Sequence, residues 1–404
     1  MNRMQQGPLS VDQALERVLD GLAPLEVETV PLELAHGRVL AEDLISAMTQ
    51  PPFPSSAMDG YAVVAADTQG KDAILRLVGE AAAGHPYKGK VGPGEAVRIF
   101  TGGAVPEGAD AILIQEEARQ ADGIVTVLEP VKPGMHVRRK GYDFCSGDRL
   151  VEAGRRLNAR DILLAATMNQ AGLPVRRRPK VAILATGDEL VRPGEPLREG
   201  QIVSSVPYGL EVLIEAAGGA PERIGIARDT RESLAEHIGC AGDADILLTI
   251  GGASVGDHDL VQEALKAHGV SFDFWRIAMR PGKPLMFGRK GRQRFLGVPG
   301  NPVSALVCSR LFLVPMLRAL LGISPALDAL EEGILASDVE PNGPRQHYMR
   351  AVFTSKNPLT VDPAPTQDSS LVATLARSDC LVVRAPHAPA ARKGESVQLL
   401  RLDF

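Results

Sequence analysis

The chain of 404 residues has only four cysteines, and no two of them lie closer than 68 positions apart. This spacing excludes the Cys-x-x-Cys motifs of metal and redox sites and fits a reducing compartment. The eight histidines include no His-x-x-x-His pair. The sequence also lacks the GxGxxG fingerprint of dinucleotide-binding proteins and the GxxxxGK[ST] phosphate loop. The common signatures of zinc, nicotinamide and P-loop sites are therefore absent.

Long apolar runs and strong net charge are missing as well. The most apolar segment, residues 311–317, lies between Arg310 and Arg318 and is too short to span a membrane. The first eight residues lack the apolar core of a signal peptide. A net charge of −5 argues against nucleic acid as the main partner. We therefore expect a cytoplasmic protein with neither a membrane nor a nucleic-acid partner.

The length exceeds what a single hydrophobic core supports, so the sequence predicts roughly two to four domains. From residue 179 apolar runs alternate with helical patterns, which predicts a mostly parallel sheet covered by helices. Short β-type runs between Gly/Pro clusters predict a β-rich domain before it, and Pro-rich short runs predict a β domain or barrel after it. The expected boundaries are 1–45 with 144–178 for a discontinuous first domain, 46–143 for the β-rich insertion, 179–327 for the α/β domain and 328–404 for the C-terminal β domain.

Two glycine turns follow buried strands of the α/β domain. The run 246–250 ends in Gly251-Gly252, and the run 294–298 ends in Pro299-Gly300-Asn301-Pro302. Asn301 is expected to be a helix N-cap and Pro302 the first helical residue. A strand that leads through glycine into a helix N-terminus is suited to bind an anion. The alternative is that both are ordinary βα turns. The candidate ligand contacts here are Gly251, Gly252, Ser254, Pro299, Gly300, Asn301, Pro302 and Ser304.

Acidic residues cluster just beyond the predicted strand ends of the same domain. They are Asp188, Glu189, Asp229, Asp257 and Asp259. Mg²⁺ prefers one or two carboxylates together with phosphate oxygens, and ligands of such sheets bind beyond the carboxyl ends of the strands. Each acid could instead cap a helix, as Asp229 could in Asp-x-x-Glu. Taken together, the acids favour a metal–phosphate site.

Further candidates combine acids, a hydroxyl and cations. Asp59 lies in a predicted hairpin loop, Thr101 precedes Gly102-Gly103, and Arg138 and Asp143 belong to one basic segment. Arg276, Arg280 and Lys283 add cations to the α/β domain. Guanidinium groups suit the recognition of planar or tetrahedral oxyanions. The combination indicates phosphoanhydride or oxyanion chemistry.

Several long motifs, in order and across the whole chain, resemble the molybdopterin molybdenumtransferases, the bacterial relatives of the gephyrin E domain. They are Ser-Ala-Met-Asp-Gly-Tyr-Ala from Ser56, Phe-Thr-Gly-Gly-Ala-Val-Pro-Glu-Gly-Ala-Asp-Ala from Phe100, Ala-Thr-Gly-Asp-Glu-Leu from Ala185, Gly-Gly-Ala-Ser-Val-Gly from Gly251, Pro-Gly-Lys-Pro from Pro281 and Val-Pro-Gly-Asn-Pro-Val-Ser-Ala from Val298.

The resemblance implies four domains, an elongated homodimer and a Mg²⁺-dependent reaction. In that reaction adenylylated molybdopterin and molybdate become molybdenum cofactor and AMP is released. The molybdopterin adenylyltransferase is a possible partner. The implied functional positions are Asp59, Thr101, Arg138, Asp143, Glu189, Asp229, Asp259, Pro299, Pro302, Arg350 and Ser369, and Glu189, Asp229 and Asp259 are the implied metal ligands.

The chain departs from the family pattern in three places. Arg276 and Arg280 replace usual lysines, Ser204-Ser205-Val206 replaces an Asp-Ser/Thr-Asn triplet, and the loop 367–370 lacks a glycine before its serine. Two other functions fit parts of the sequence. A molybdopterin adenylyltransferase shares the α/β domain, but its loop usually reads Thr-Thr-Gly-Gly-Thr-Gly and it lacks the β domains. A non-catalytic scaffold is the other alternative, and the intact acids argue against it.

Overall fold

A computed structural model describes residues 7–70, 72–252 and 260–402 of the chain. The chain forms two compact units. Unit 1 comprises Met1–Glu42, Ala153–Ala159 and Gly172–Phe404, and unit 2 comprises Asp43–Glu152 and Arg160–Ala171.

Unit 1 begins with helix α1 (Val11–Leu19) and strand β1 (Val27–Pro31). The Ser10 side chain accepts from the backbone N–H of Gln13, and the Gln13 side chain accepts from the backbone N–H of Ser10. This reciprocal capping box satisfies two of the amide groups that a helix start leaves unpaired. The apolar face of α1, formed by Val11, Ala14 and Val18, is buried.

Unit 2 is rich in short strands, and its second segment contains most of one helix. The strands are β2 (Leu44–Ile45), β3 (Ser55–Ser56), β4 (Gly60–Val63), β5 (Ile74–Ala81), β6 (Glu95–Ile99), β7 (Ala111–Ile114), β8 (Ala118–Ala121), β9 (Ile124–Val127), β10 (Val137–Arg138) and β11 (Arg149–Val151). Six of them form one sheet in the order β7-β4-β6-β5-β9-β8. The short β-type runs between Gly/Pro clusters that predicted a β-rich domain here are strands. Strands β6 and β8 were not predicted, because charged residues interrupt the apolar pattern of β6 and β8 contains only alanine, arginine and glutamine.

Helix α2 (Ala159–Thr167) follows, and strand β12 (Gly172–Arg176) returns to unit 1 and pairs antiparallel with β1. Strand β1 precedes unit 2 in the sequence and β12 follows it, and the two strands pair to form one two-stranded sheet. Helix α2 ends two residues before Asn169, which has φ +60°.

The central sheet of unit 1 contains β13 (Lys180–Thr186), β16 (Ala220–Ala227), β17 (Ile246–Ile250), β18 (Ser271–Phe274), β20 (Met286–Lys290) and β21 (Gln293–Val298). Its order is β16-β13-β17-β21-β20-β18. The first four strands run parallel, and the pairings β21–β20 and β20–β18 are antiparallel. The sheet is thus mixed at one edge. Short strands β14 (Leu190–Val191), β15 (Ile202–Val203) and β19 (Met279–Arg280) lie outside it.

Helices α3 (Val206–Ala216), α4 (Arg231–Cys240) and α5 (Leu260–Ala267) connect these strands and bury their apolar faces against the sheet. A longer helical segment consists of α6 (Pro302–Cys308), a π-helical turn (Ser309–Leu313) and α7 (Val314–Leu320). Pro302–Leu320 is apolar and long enough to cross a membrane by length and composition, which corrects the expectation from 311–317 alone. Since 83% of its most apolar stretch is buried within the protein, this segment has the position of a core helix.

The C-terminal region forms a closed barrel, as predicted. Its strands are β22 (Glu331–Leu335), β23 (Gln346–Lys356), β24 (Leu359–Pro363), β25 (Cys380–Arg384) and β26 (Ser396–Arg401). The order β23-β24-β22-β26-β25 closes because β23 also pairs with β25. A short helix α8 (Val372–Ala376), which the sequence did not reveal, lies between β24 and β25. The division of the chain into four domains remains a prediction.

Candidate functional site

The carboxyl ends of four neighbouring parallel strands open into one cleft of about 660 Å³, here called the strand-end cleft. Strand β13 leads into Glu189, β16 into Asp229, β17 into Gly251-Gly252 and β21 into Pro299-Gly300. The remaining contributors include Ser204, Ser205, Asn301, Pro302 and Ser370. This is the edge at which ligands of open α/β sheets bind. The sequence predicted all of these strand ends and missed Ser370.

Two glycine turns form one wall of the cleft at close range. A side-chain carbon at Gly252, which has φ +60°, would lie 2.3 Å from Cγ2 of Val261. A side-chain carbon at Gly300 would lie 3.7 Å from Cα of Gly251. Only glycine combines this backbone conformation with this packing at position 252. The two turns therefore face each other and expose backbone to the cleft.

The acidic end of the cleft is formed by Glu189 and Asp229, with Asp188 beside them. Partial burial raises the pKa of Asp229, and the charges of Asp188 and Glu189 raise it further. The N-cap of α4 is Thr230, whose hydroxyl accepts from the backbone N–H of Ser233. The alternative that Asp229 is merely a helix cap is therefore wrong. Its carboxylate lies in a field of like charge that a cation would relieve.

These acids fit a divalent cation by charge and ligand type. Among the described residues, no group of three or more His, Cys, Asp or Glu side chains is arranged to hold a metal ion. The predicted residues Ser254, Asp257 and Asp259 lie outside the described part of the chain. The set Glu189, Asp229 and Asp259 therefore remains a prediction.

The start of α6 contacts a loop from the barrel region. Asn301 occupies the N-cap position and Pro302 the first helical position, as predicted, but the Asn301 side chain makes no capping hydrogen bond. It donates instead to the hydroxyl of Ser369 at 3.1 Å. The backbone N–H of Val303 donates to the carbonyl of Ser369 at 3.3 Å. One amide of the expected anion site is thus occupied by the protein itself.

Arg350 holds the same loop from inside. Its side chain is 1% exposed and donates to the carbonyl oxygens of Leu371 at 3.2 Å and Thr366 at 3.4 Å. Gln367 accepts from the backbone N–H of Arg350 at 2.9 Å and donates to its carbonyl at 3.0 Å. Arg350 therefore positions the segment that carries Ser369. The family resemblance implied a substrate-binding role for Arg350, which stays a prediction, and the residue pattern by itself does not reveal that this strand arginine is buried.

The remaining candidates of the α/β region do not line the strand-end cleft. Ser304 is buried in the first turn of α6 with 4% exposure. Arg276, Arg280 and Lys283 are exposed. Arg280 lines a different cavity, in the barrel region. Their expected role in substrate binding stays a prediction.

Unit 2 carries a hydrogen-bonded pair of predicted site residues. One carboxylate oxygen of Asp59 accepts from the backbone N–H of Thr101 at 2.8 Å and from its hydroxyl at 2.7 Å. These bonds lower the pKa of Asp59 below its ordinary value. Arg138 and Asp143 are exposed in the same unit, and Arg138 pairs in register with Ser55. Asp59 is therefore hydrogen-bonded to Thr101. Among the described residues, no hydrogen bond or ion pair joins this pair to Arg138 or Asp143.

A residue that sequence reasoning missed, Arg98, supports the Asp59 loop. Its guanidinium lies 5.1 Å from the ring centre of Tyr61 and 5.0 Å from that of Phe100. It donates to the carbonyl of Gly60 at 3.2 Å and to the side chain of Gln115 at 2.7 Å. The alternation of arginine with aromatic residues on paired strands was the available signal.

Known proteins resemble the chain over all of these parts. Residues 9–169 match the MoeA N-terminal region (domain I and II), residues 182–319 a probable molybdopterin binding domain and residues 332–402 the MoeA C-terminal region (domain IV). A molybdopterin molybdenumtransferase of Haemophilus influenzae is 34% identical over 401 residues, which cover 97% of this chain and 98% of that protein. The chain belongs to the molybdopterin molybdenumtransferase family.

Other members of this family agree in sequence and in fold. A molybdopterin molybdenumtransferase of Nostoc is 38% identical over 333 residues, covering 80% of this chain and 76% of that protein. The crystal structure of a molybdopterin biosynthesis protein from Pyrococcus horikosii superposes with a TM-score of 0.86 at 31% identity, covering 98% of this chain and 100% of that one. The family resemblance inferred from the motifs is confirmed, and the chain is a transferase of molybdenum cofactor biosynthesis.

Proposed function

We propose that the protein converts adenylylated molybdopterin and molybdate into molybdenum cofactor and releases AMP. The observation that carries this proposal is the strand-end cleft, where four parallel strands deliver two acids, two glycine turns and the start of α6 to one cavity. Exposed backbone beside carboxylates suits a ligand that brings phosphate groups together with a divalent cation. The names and full-length similarity of the relatives support the same reaction.

The acidic end would hold Mg²⁺. Glu189 and Asp229 line the cleft, and the pKa of Asp229 is raised by burial and by its acidic neighbours. A cation there would favour the ionised carboxylates and would bring charge that phosphate oxygens can share. Asp259 is the third ligand that the sequence suggests. When bound, the metal would neutralise the phosphate charge that develops as AMP leaves.

The loop 366–371 would close one side of the substrate site. Arg350 and Gln367 hold this loop, and Ser369 receives the hydrogen bond of Asn301. Ser370 lines the cleft directly. The loop would therefore bring the Ser370 hydroxyl, which donates to Asp368 at 2.6 Å, to the edge of a bound substrate, and Arg350 would act through the loop rather than by contact.

Asp59 and Thr101 would supply a second, oriented carboxylate from unit 2. Two hydrogen bonds fix one oxygen of Asp59, which leaves the other carboxylate oxygen to act on a substrate. Since the family resemblance assigns functional positions to both units, we also propose a homodimer with shared sites. Mixing Asp59→Ala and Asp229→Ala chains should restore part of the activity that each variant lacks. A monomeric mass, or no restoration after subunit exchange, contradicts the shared site.

The cellular setting follows from the same proposal. The substrate is expected in the cytoplasm, and the molybdopterin adenylyltransferase that would produce it is the expected partner. Scaffolding without catalysis and adenylyl transfer are the alternatives, and full-length similarity to the molybdenumtransferases favours neither.

The direct test follows AMP release from adenylylated molybdopterin. We expect release only when molybdate and Mg²⁺ are both supplied, and loss of release on chelation with EDTA. The matched control for the Asp229→Ala variant is Asp243→Asn. Asp243 is an exposed acid outside the cleft, so this substitution should leave the rate of AMP release unchanged. Equal release in EDTA, or none with every component present, overturns the proposed function.

A further inference from the structure

A second cavity of about 540 Å³, here called the barrel cleft, lies in the C-terminal part of unit 1. Its lining includes Arg280, His347 and Arg384 on strands, with Asp338 and Asp362 among its acids. It shares no lining residue with the strand-end cleft. The proposed reaction uses none of His347, Arg384, Asp338 and Asp362.

Strand register places the three basic side chains in one row. Strand β19 pairs parallel with β23 so that Arg280 is opposite His347. Strand β25 pairs antiparallel with β23 so that Arg384 is opposite His347 on its other side. Neighbouring side chains in register lie on the same face of a sheet. The row therefore faces the cavity that all three residues line.

The positive charge of this row is not balanced by ion pairs. Arg280, Arg345 and Arg384 form no ion pair with any carboxylate in the described ranges. Burial, together with the charges of Arg280, Arg345, Arg350 and Arg384, lowers the pKa of His347 to about 4. Neutral His347 then offers one donor and one acceptor at neutral pH.

Two buried polar atoms in the row also lack partners. His347 is 7% exposed and Arg384 is 8% exposed. Nε2 of His347 and Nε of Arg384 have no hydrogen-bond partner among the described residues. Arg384 uses another nitrogen to donate to the carbonyl of Pro389. A buried guanidinium with neither a carboxylate nor a full set of acceptors is poorly compensated unless an anion approaches it.

The acids that line the same cavity, Asp338, Glu340 and Asp362, limit which anion fits. Asp338 is already bound by Arg392 and by the backbone N–H of Lys393, and Asp362 accepts from the hydroxyl of Ser337 at 2.6 Å. These acids would repel an extended polyanion. A ligand with one compact oxyanion group for the basic residues and neutral donors for the acids matches this mixed lining.

We propose that the barrel cleft binds a tetrahedral oxyanion group, held by Arg280, His347 and Arg384. The group could belong to a free inorganic ion or to a small phosphomonoester, since both present the same acceptor geometry. This site goes beyond the proposed function and does not rest on it. No bond is formed or broken there.

The test is calorimetric titration of the full chain in the absence of any pterin. Orthophosphate and glycerol 3-phosphate are the two probes, in a buffer free of other oxyanions. We expect saturable binding of at least one, weakened about tenfold or more by Arg280→Gln, an exposed position where loss of folding is not a concern. Tighter binding of glycerol 3-phosphate assigns the phosphomonoester, and tighter orthophosphate binding assigns the free ion.

Controls separate this site from charge effects and from the strand-end cleft. Arg401→Gln removes an equal charge from the same barrel at a residue that does not line the cavity and should bind as wild type. Asn301→Ala alters the strand-end cleft and should also bind as wild type. Arg384→Lys tests the buried member while keeping its charge, with the melting temperature as a folding check. No saturable binding at millimolar concentration, unchanged binding in Arg280→Gln, or loss in Asn301→Ala each overturns the proposal.

Discussion

Asn301 donates its side-chain amide to the hydroxyl of Ser369 at 3.1 Å, across 68 positions of sequence. The bond joins the start of α6 to the loop 366–371. Arg350 of the barrel holds this loop through hydrogen bonds to Gln367 and Leu371. An asparagine at an N-cap usually bonds its own helix. Here it bonds another segment, so the shape of the strand-end cleft depends on the barrel as well as on the sheet.

This bond predicts a defined kinetic effect. Asn301→Ala should raise the KM for adenylylated molybdopterin about fivefold, because one neutral hydrogen bond contributes roughly 1 kcal/mol. Ser369→Ala should act similarly, and the double variant should be little worse than either single one, since both remove the same interaction. Steady-state kinetics on the three variants measures this. Additive effects of the two substitutions would show that the bond does not matter for the site.

Thr101 is predicted to act by orienting Asp59. Thr101→Val removes the hydroxyl bond at 2.7 Å and keeps the backbone N–H bond at 2.8 Å. The pKa of Asp59 should then rise towards its ordinary value, which still leaves the carboxylate ionised at neutral pH. We expect a drop in kcat of about tenfold with an unchanged neutral-pH profile, and recovery in Thr101→Ser. A rate that recovers when the pH is raised would instead indicate a protonation effect.

Arg98 is predicted to support the same carboxylate indirectly. The backbone N–H of Gln115 donates to the carbonyl of Asp59 at 3.2 Å, and Arg98 bonds both Gln115 and Gly60. Arg98→Lys keeps the charge but cannot make both bonds, so kcat should fall severalfold with little change in KM. Arg76→Lys is the matched control, because Arg76 is a largely exposed arginine of the same sheet. A wild-type kcat in Arg98→Lys would show that the hydrogen bonds of Arg98 to Gln115 and Gly60 are dispensable for the reaction.

Asp229 is predicted to be a strained carboxylate that a cation relieves. Because its pKa is raised in the folded state, its ionisation destabilises the fold increasingly as the pH rises from the unfolded pKa to the folded pKa, and the full penalty is present at neutral pH. Asp229→Asn should therefore raise the melting temperature slightly without Mg²⁺ and remove any Mg²⁺-dependent rise. Differential scanning fluorimetry with and without Mg²⁺ checks this, with Asp243→Asn as the control. An equal Mg²⁺ response in wild type and Asp229→Asn would place the cation elsewhere.

The sequence predicted the parts of the site that follow from local pattern. Strand ends, glycine turns and the acids Glu189 and Asp229 were found because βα alternation fixes which edge of a parallel sheet collects ligands. Pro302 at the start of α6 was found for the same local reason. Such features depend on neighbours within a few residues.

The features that the sequence did not predict depend on distant partners. The loop bond from Asn301 to Ser369, the burial of Arg350 and the row of Arg280, His347 and Arg384 each join strands or loops far apart in sequence. A basic residue in a strand has the same local pattern whether it faces solvent, a cleft or a neighbouring loop. Only strand register and closure of the barrel decide among these possibilities.

The carboxylate of Asp328 is predicted to contribute to stability rather than to catalysis. Asp328 accepts from Arg318 and forms an ion pair with Arg310, which is 5% exposed. Partial burial raises the pKa of Asp328, but the hydrogen bonds and charges of Arg318 and Arg310 outweigh it and hold the pKa below its ordinary value. A carboxyl whose pKa is lower in the folded state stabilises the fold above its unfolded pKa. That stabilisation is lost as the pH falls through the folded pKa.

Asp328→Asn should therefore lower the free energy of unfolding by roughly 1–3 kcal/mol at neutral pH, since it weakens bonds to a buried guanidinium. The difference from wild type should be constant at neutral pH and shrink below about pH 4. Glu331→Gln, which breaks the exposed pair with Arg401, is the control and should cost less than about 1 kcal/mol. Urea denaturation of the three proteins across this range measures both effects. Equal costs for Asp328→Asn and Glu331→Gln, or a difference that persists in acid, would show that burial of Arg310 does not strengthen the interaction.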